Sequence, residues 1–137
     1  MVAKTEAYVD TSALISAIDQ SDTYHALFAR LFADPPTMVT TSLVVAEGHA
    51  WCLRRYGISR ALGFLAFIED LKHLKVLTLP FSQIRASSDL LRRFSDQKLT
   101  LADALGLHLM IEREITSCWS TDFHLGVTGV PLIIHQN

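Results

Sequence analysis

Four acidic residues carry whatever chemistry this sequence can do: Asp10, Glu47, Asp103 and Asp122. Three of them interrupt apolar surroundings, in "AYVDTSALI", "SLVVAEGHAW" and "LTLADALGL". A carboxylate left in such company without a partner costs several kcal/mol, and the local sequences supply no obvious lysine or arginine mates. A hard divalent cation resolves the conflict, because Mg²⁺ and Mn²⁺ take oxygen ligands. Acids gathered around such ions hold a phosphodiester and activate water in two-metal nucleases. Each acid also has a purely structural use. Asp10 can cap the helix that follows it. Thr100-x-x-Asp103 has the form of a capping box. Glu47 can reach Arg54, seven positions on and on the same helical face, and Asp122 can start a turn. Four independent caps need not converge on one edge of a fold, so the combination says more than its members.

Other constellations are incomplete. His49 and Cys52 have helical i,i+3 spacing, but no second pair completes a zinc site. The six histidines lack metalloprotease spacing, no G-x-S-x-G elbow occurs, and no glycine loop is set to cradle phosphate. Trp51 and Trp119 suit core positions. Gly106, one turn beyond Asp103, suits close helix packing. Arg54, Arg55, Arg92, Arg93 and Lys98 are candidate phosphate contacts that serve equally as a solvated face. Asp89 and Asp96 read as solvated.

The elements that must position the acids alternate between strand and helix. "EAYVD" reads as a strand ending at Asp10, "TSALISAI" as a short helix, and "SDTYHALFARLF" as a second helix capped by Ser21 or Asp22. After the proline break at Ala33–Thr37 come a strand, "TMVTT", and a helix, "SLVVAEGHAWCLRRYG", closed by Gly57. A helix from Ser59, a strand "KVLTL", a helix "SQIRASSDLLRRFSD" and a helix "TLADALGLHLMIERE" capped by Thr100 follow. "ITSCWSTD" reads as a strand ending at Asp122, and "VPLIIH" as a last strand. Such alternation implies an α/β fold, three layers deep, with helices on both faces of a mainly parallel sheet of four to five strands. Ligands in such sheets bind beyond the carboxyl ends of the strands, where all four acids are expected to emerge.

The size and composition set outer bounds. A chain of 137 residues, half of them hydrophobic, suits a single domain over 1–137 with a sizeable core. No run reaches the roughly 18 apolar residues of a membrane span. "MVAKTEAYVD" lacks the apolar stretch of a secretory signal. Two cysteines, Cys52 and Cys118, imply no disulfide framework and read as buried thiols of a cytoplasmic protein. The net charge of −2 does not advertise nucleic-acid binding. Setting the four site acids aside, however, leaves ten acids against twelve lysines and arginines, a balance that permits an RNA ligand.

Four segments, "YVDTSALI", "TTSLVVAEGHAWCLRR", "DQKLTLADALGLHLM" and "STDFHL", occur in the order and at the spacing that resemble PIN-domain ribonucleases, in particular the VapC-like toxins of toxin–antitoxin pairs. The resemblance covers nearly the whole chain. Each motif alone is unspecific, and the ordered set carries the likeness. It implies that Asp10, Glu47, Asp103 and Asp122 form the acidic site as metal ligands and catalytic residues, and that Ser12 supports it by orienting a ligand or a water. In the family a basic residue often follows the fourth acid; here Phe123 stands there. The expected activity is Mg²⁺- or Mn²⁺-dependent hydrolysis of phosphodiester bonds in single-stranded or loop RNA, such as tRNA or rRNA, leaving 5′-phosphate and 3′-hydroxyl ends. The expected partners are the RNA substrate, a small antitoxin protein that blocks the site, and a second copy in a homodimer, with no membrane. Two other readings compete. One is a catalytically inactive PIN-like module that binds RNA or protein, against which the complete acid set argues. The other is an aspartyl-phosphate phosphatase, which wants a second acid two residues after the nucleophile, where Ser12 stands.

Overall fold

The computed structural model describes residues 6–136; residues 1–5, half of the stretch read above for a secretory signal, lie outside them. Four strands, β1 (Glu6–Val9), β2 (Thr37–Thr41), β3 (Leu74–Leu77) and β4 (Ser117–Trp119), form one sheet in the order β3-β2-β1-β4. Every pairing is parallel, with Ala7 opposite Met38 and Ser117, and Tyr8 opposite Val39 and Cys118. Parallel neighbours need helical crossovers. These are α1 (Thr11–Ile18) and α2 (His25–Ala33) after β1, α3 (Ser42–Tyr56) and α4 (Ile58–Asp70) after β2, and α5 (Phe81–Arg93) and α6 (Leu101–Glu112) after β3.

The two-residue period of the strands sorts the core into two layers. Ala7, Val9, Met38 and Trp119 face α1–α4, where Leu14, Phe28, Val44, Cys52 and Phe64 are buried with them. Tyr8, Val39 and Cys118 face α5 and α6, against Leu90, Leu107 and Met110. Trp119 closes the first layer against Phe28 and Phe32, with ring centroids 6.5 and 5.0 Å away. Helix α6 is apolar on nearly all sides and almost wholly buried, as such a helix must be. It comes close to the sheet because Gly106 has no side chain: a Cβ there would lie 2.4 Å from Tyr8 Oη. Both cysteines are buried free thiols. Among the described residues no helix is long and apolar enough to cross a membrane.

The sheet has four strands, because "VPLIIH" does not form one. Leu132 makes a single bridge to Cys118, and Ile133–His135 turn into a 3-10 helix. With β4 only three residues long, there is little edge to extend, and Pro131 brings no N–H to a ladder. The apolar run serves packing instead: Leu132 is buried and Ile134 lies between the two core layers. Helix α2 begins at His25 rather than at Ser21, because Asp19 and Asp22 draw the intervening chain into turns, accepting hydrogen bonds from the N–H of Ser21 (3.0 Å) and of Tyr24 (2.8 Å). Strand β4 ends at Trp119, so Asp122 stands three residues past it, leading a 3-10 helix at Phe123–Gly126.

Candidate metal centre

The chain passes from β1 to β2 on one side of the sheet and returns from β3 to β4 on the other. The carboxyl ends of β1 and β4 therefore flank the topological switch point, where α/β sheets bind ligands. Asp10 directly follows β1 there, its N–H still on the ladder to Trp119 O at 3.0 Å. Although Asp10 takes the position preceding α1, its side chain makes no capping bond. Instead Oδ2 accepts hydrogen bonds from Ser12 Oγ and Ser120 Oγ, both at 3.0 Å, and the two hydroxyls lie 3.1 Å apart. The same serines hold the neighbouring loop: Thr121 N–H donates to Ser12 Oγ (3.0 Å), and Asp122 N–H to Ser120 Oγ (2.9 Å). Asp10 and the loop bearing Asp122 are thus fixed to one another by two hydroxyls.

Asp103 reaches the same edge from α6. The Thr100 capping box is present, with Asp103 N–H donating to Thr100 Oγ1 and Thr100 N–H donating to Asp103 Oδ2, both at 3.1 Å. The cap is therefore real and fixes the rotamer of the carboxylate. Asp122 Oδ1 accepts the His124 N–H at 3.0 Å and lies 2.9 Å from His124 Nδ1. Asp103, Asp122 and His124 each offer one ligand atom within 4.8 Å of the others, the one group of three or more such side chains among the described residues. Asp10 stands outside that group, and so does Glu47. Glu47 is exposed on α3 and accepts a hydrogen bond from Thr11 Oγ1 at 3.0 Å, which ties it to the residue after Asp10. Arg54 is not its partner.

The electrostatics are those of an acid cluster short of positive charge. Burial pushes the Asp10 carboxyl up to about 6, against the pull of Ser12 and Ser120, and the Asp103 charge adds to the rise. Asp103 is raised as well, by burial first and then by Asp122, with His124 acting in the opposite direction. Among the described residues the ion pairs are Arg92–Asp89, His108–Glu112, Arg113–Glu6 and His124–Asp122, so no lysine or arginine neutralises the cluster. Arg54, Arg55, Arg92, Arg93 and Lys98 are all exposed. Arg55 lies over Trp51 and Arg93 over Phe94. A hard cation fits this donor set: on Asp103 and Asp122 the named hydrogen bonds engage one oxygen and leave the other, the arrangement in which chain donors orient a carboxylate ligand.

Two members of the arrangement were not singled out from the sequence. Ser120 carries no local signal; its role exists only once β4 lies beside β1. His124 does leave one, the Asp-x-His spacing at the start of a 3-10 turn, which lets the imidazole fold back on its own carboxylate.

This geometry belongs to a known class. Residues 7–127 match the PIN domain family, and the chain is a member of it. Its fold is shared by VapC20 of Mycobacterium tuberculosis, described as a sarcin–ricin loop cleaving toxin, with a TM-score of 0.82 and 22% identity over 91% of this chain and 96% of that one. A second similar structure is VapBC2 of Rickettsia felis, solved bound to a DNA fragment from its promoter, with a TM-score of 0.62 and 16% identity over 93% and 97% of the two chains. A search of curated proteins gives no match.

Proposed function

We propose that residues 1–137 are a single PIN domain acting as a metal-dependent endoribonuclease, the toxin of a type II toxin–antitoxin pair. The observation that carries this reading is the convergence of Asp103, Asp122 and His124 beside buried Asp10, with no lysine or arginine paired to them among the described residues. Asp10, Asp103 and Asp122 are the metal ligands, for Mg²⁺ or Mn²⁺, and Glu47 serves a second ion or orients water from the rim. All four acids are catalytic in this scheme. A cation held there supplies charge neutralisation at the scissile phosphate and a more acidic attacking water. The chain's own contribution is rigidity: Ser12 and Ser120 fix Asp10, the Thr100 box fixes Asp103, and the His124 N–H fixes Asp122.

The substrate in this reading is single-stranded or loop RNA, which can be splayed into a shallow site. A cytoplasmic homodimer and a small antitoxin that covers the acids complete the proposal; similarity to the VapC20 and VapBC2 structures supports it. The test is cleavage of total RNA with Mg²⁺ or Mn²⁺ by the parent, Asp10→Asn and Asp103→Asn. The parent is expected to cut and both variants to fail. Variants that cut as well as the parent would overturn the assignment. Tight RNA binding without cleavage by any of the three would instead favour the inactive binding module.

A further inference from the structure

Phe123 begins the 3-10 helix that follows the acid cluster. It is 67% exposed, yet it directly follows Asp122. Its ring lies 4.2 Å from that of His124, tilted by 31°, and much of its surface remains open to solvent. Because His124 is itself bonded to Asp122 through both its N–H and Nδ1, the aromatic pair is registered to the acid cluster. Phe123 also forms one wall of a shallow cavity of about 350 Å³, completed by Gly126, Val130, Pro131 and His135. Gly126 presents no side chain to that space, and Gly129, at φ +99, makes the turn that brings Val130 and Pro131 around it.

We infer that Phe123 and this cavity form a nucleobase subsite that stacks one unpaired base of the RNA substrate beside the scissile phosphate. The inference rests on the nuclease reading above. Single-stranded nucleic acid is held by two means, basic grooves and aromatic faces. Among the described residues no lysine or arginine is paired with the acid cluster, and its one basic member, His124, is engaged by Asp122, so the aromatic face is the hold on offer beside it. An exposed, pre-oriented aromatic ring loses little conformational freedom on binding. The cavity, with His135 in its lining, offers a flat heterocycle an apolar wall and a polar group for its edge. Phe123 acts on position and sequence preference, and bonds no reacting atom.

The test is binding of a short single-stranded oligoribonucleotide carrying 2-aminopurine, in the Asp10→Asn background with Mg²⁺ so that hydrolysis does not intervene. Stacking on Phe123 quenches the probe at one position of the oligonucleotide. Phe123→Ala is expected to abolish that quench and weaken binding by roughly 5- to 150-fold, the range for loss of one base stack. Phe123→Trp should restore both; Phe123→Leu, apolar but without a π face, should not. Mn²⁺ binding in the otherwise unaltered chain should be the same for Phe123→Ala as for Phe123, and thermal melts should agree, since the side chain is exposed. Unchanged RNA affinity and quench in Phe123→Ala, full rescue by Phe123→Leu, or no RNA binding by the background chain would each overturn the inference. So would a loss confined to protein partners or to self-association. A parent chain that does not cleave RNA, but whose background variant shows the Phe123-dependent quench, would refute the nuclease reading alone.

Discussion

Replacing Asp10 by asparagine should stabilise the metal-free protein, an effect opposite to that of most substitutions at a buried polar residue. The size follows from the carboxyl's displacement. Asp10 is 6% exposed, and its pKa rises from the ordinary 3.8 to about 6 in the fold. Between those values the folded chain holds a proton that the unfolded chain has released, so stability falls as pH rises through the window, and the loss is complete above it. About two units at 1.36 kcal/mol each amount to roughly 3 kcal/mol at pH 7.5. Asparagine keeps an acceptor for Ser12 and Ser120 and carries no charge, so it escapes this loss. Urea denaturation in EDTA should place Asp10→Asn above the parent by roughly 1–3 kcal/mol at pH 7.5, with the gap closing toward pH 4. Mg²⁺ should then act on the parent more than on the variant, because only the folded, fully acidic site binds it; a hundredfold excess over Kd adds about 2.7 kcal/mol. The stability order would narrow or reverse between EDTA and Mg²⁺. A variant no more stable than the parent in EDTA at pH 7.5, or a difference independent of pH, refutes the reasoning that Asp10 is a strained buried acid.

Two further outcomes concern the supports of the site. Gly106→Ala puts a methyl group 2.4 Å from Tyr8 Oη and should destabilise by about 1–3 kcal/mol through overpacking. Tyr8 Oη is buried without a partner, so Tyr8→Phe should cost little by itself and recover part of the Gly106→Ala loss in a double-mutant cycle read by urea melts. Ser120→Ala removes a donor that holds the Asp10 carboxyl down and the acceptor of the Asp122 N–H. Burial then acts on Asp10 with less opposition, and the acid limb of the pH–rate profile should move to higher pH. An unmoved limb with intact folding would show that the serine does not bear on the acid.

What could be read from the residues, and what could not, divides along a physical line. The strand–helix alternation was legible because period-2 and period-3.6 patterns are local, and every crossover needed for a parallel sheet was visible as an amphipathic or apolar helix. The capping box at Thr100 and Asp103 was legible for the same reason. Of the readings that misled, two are instructive. "VPLIIH" has the composition of a strand, but a strand also needs a neighbour with free edge, and three-residue β4 offers almost none. Ser21 and Asp22 are good capping residues, yet the chain spends Asp19 and Asp22 on turns, so α2 starts later. Both failures are tertiary or competing local demands that no propensity records.

The acids show the same division more sharply. Their arrival at one edge was inferable because a parallel sheet delivers its strand ends there: Asp103 and Asp122 meet in the three-donor group, while Asp10 sits beside it, outside that group. What holds them was not inferable. Ser12 and Ser120 act as a pair only because β1 and β4 are neighbours, although 108 residues separate them. Glu47 is tied to the start of α1 by Thr11 rather than drawn into the three-donor group. His124 takes its place because a 3-10 turn folds it back on Asp122, a geometry set by four residues and invisible to a search for an adjacent basic side chain. Charge, in short, is positioned by topology, which sequence periodicity reports. Its orientation is fixed by hydroxyls and amides whose partners only the folded sheet creates. Substitutions at Ser12, Ser120 and His124 should therefore disturb the site without unfolding the chain, which distinguishes supports of the chemistry from supports of the fold.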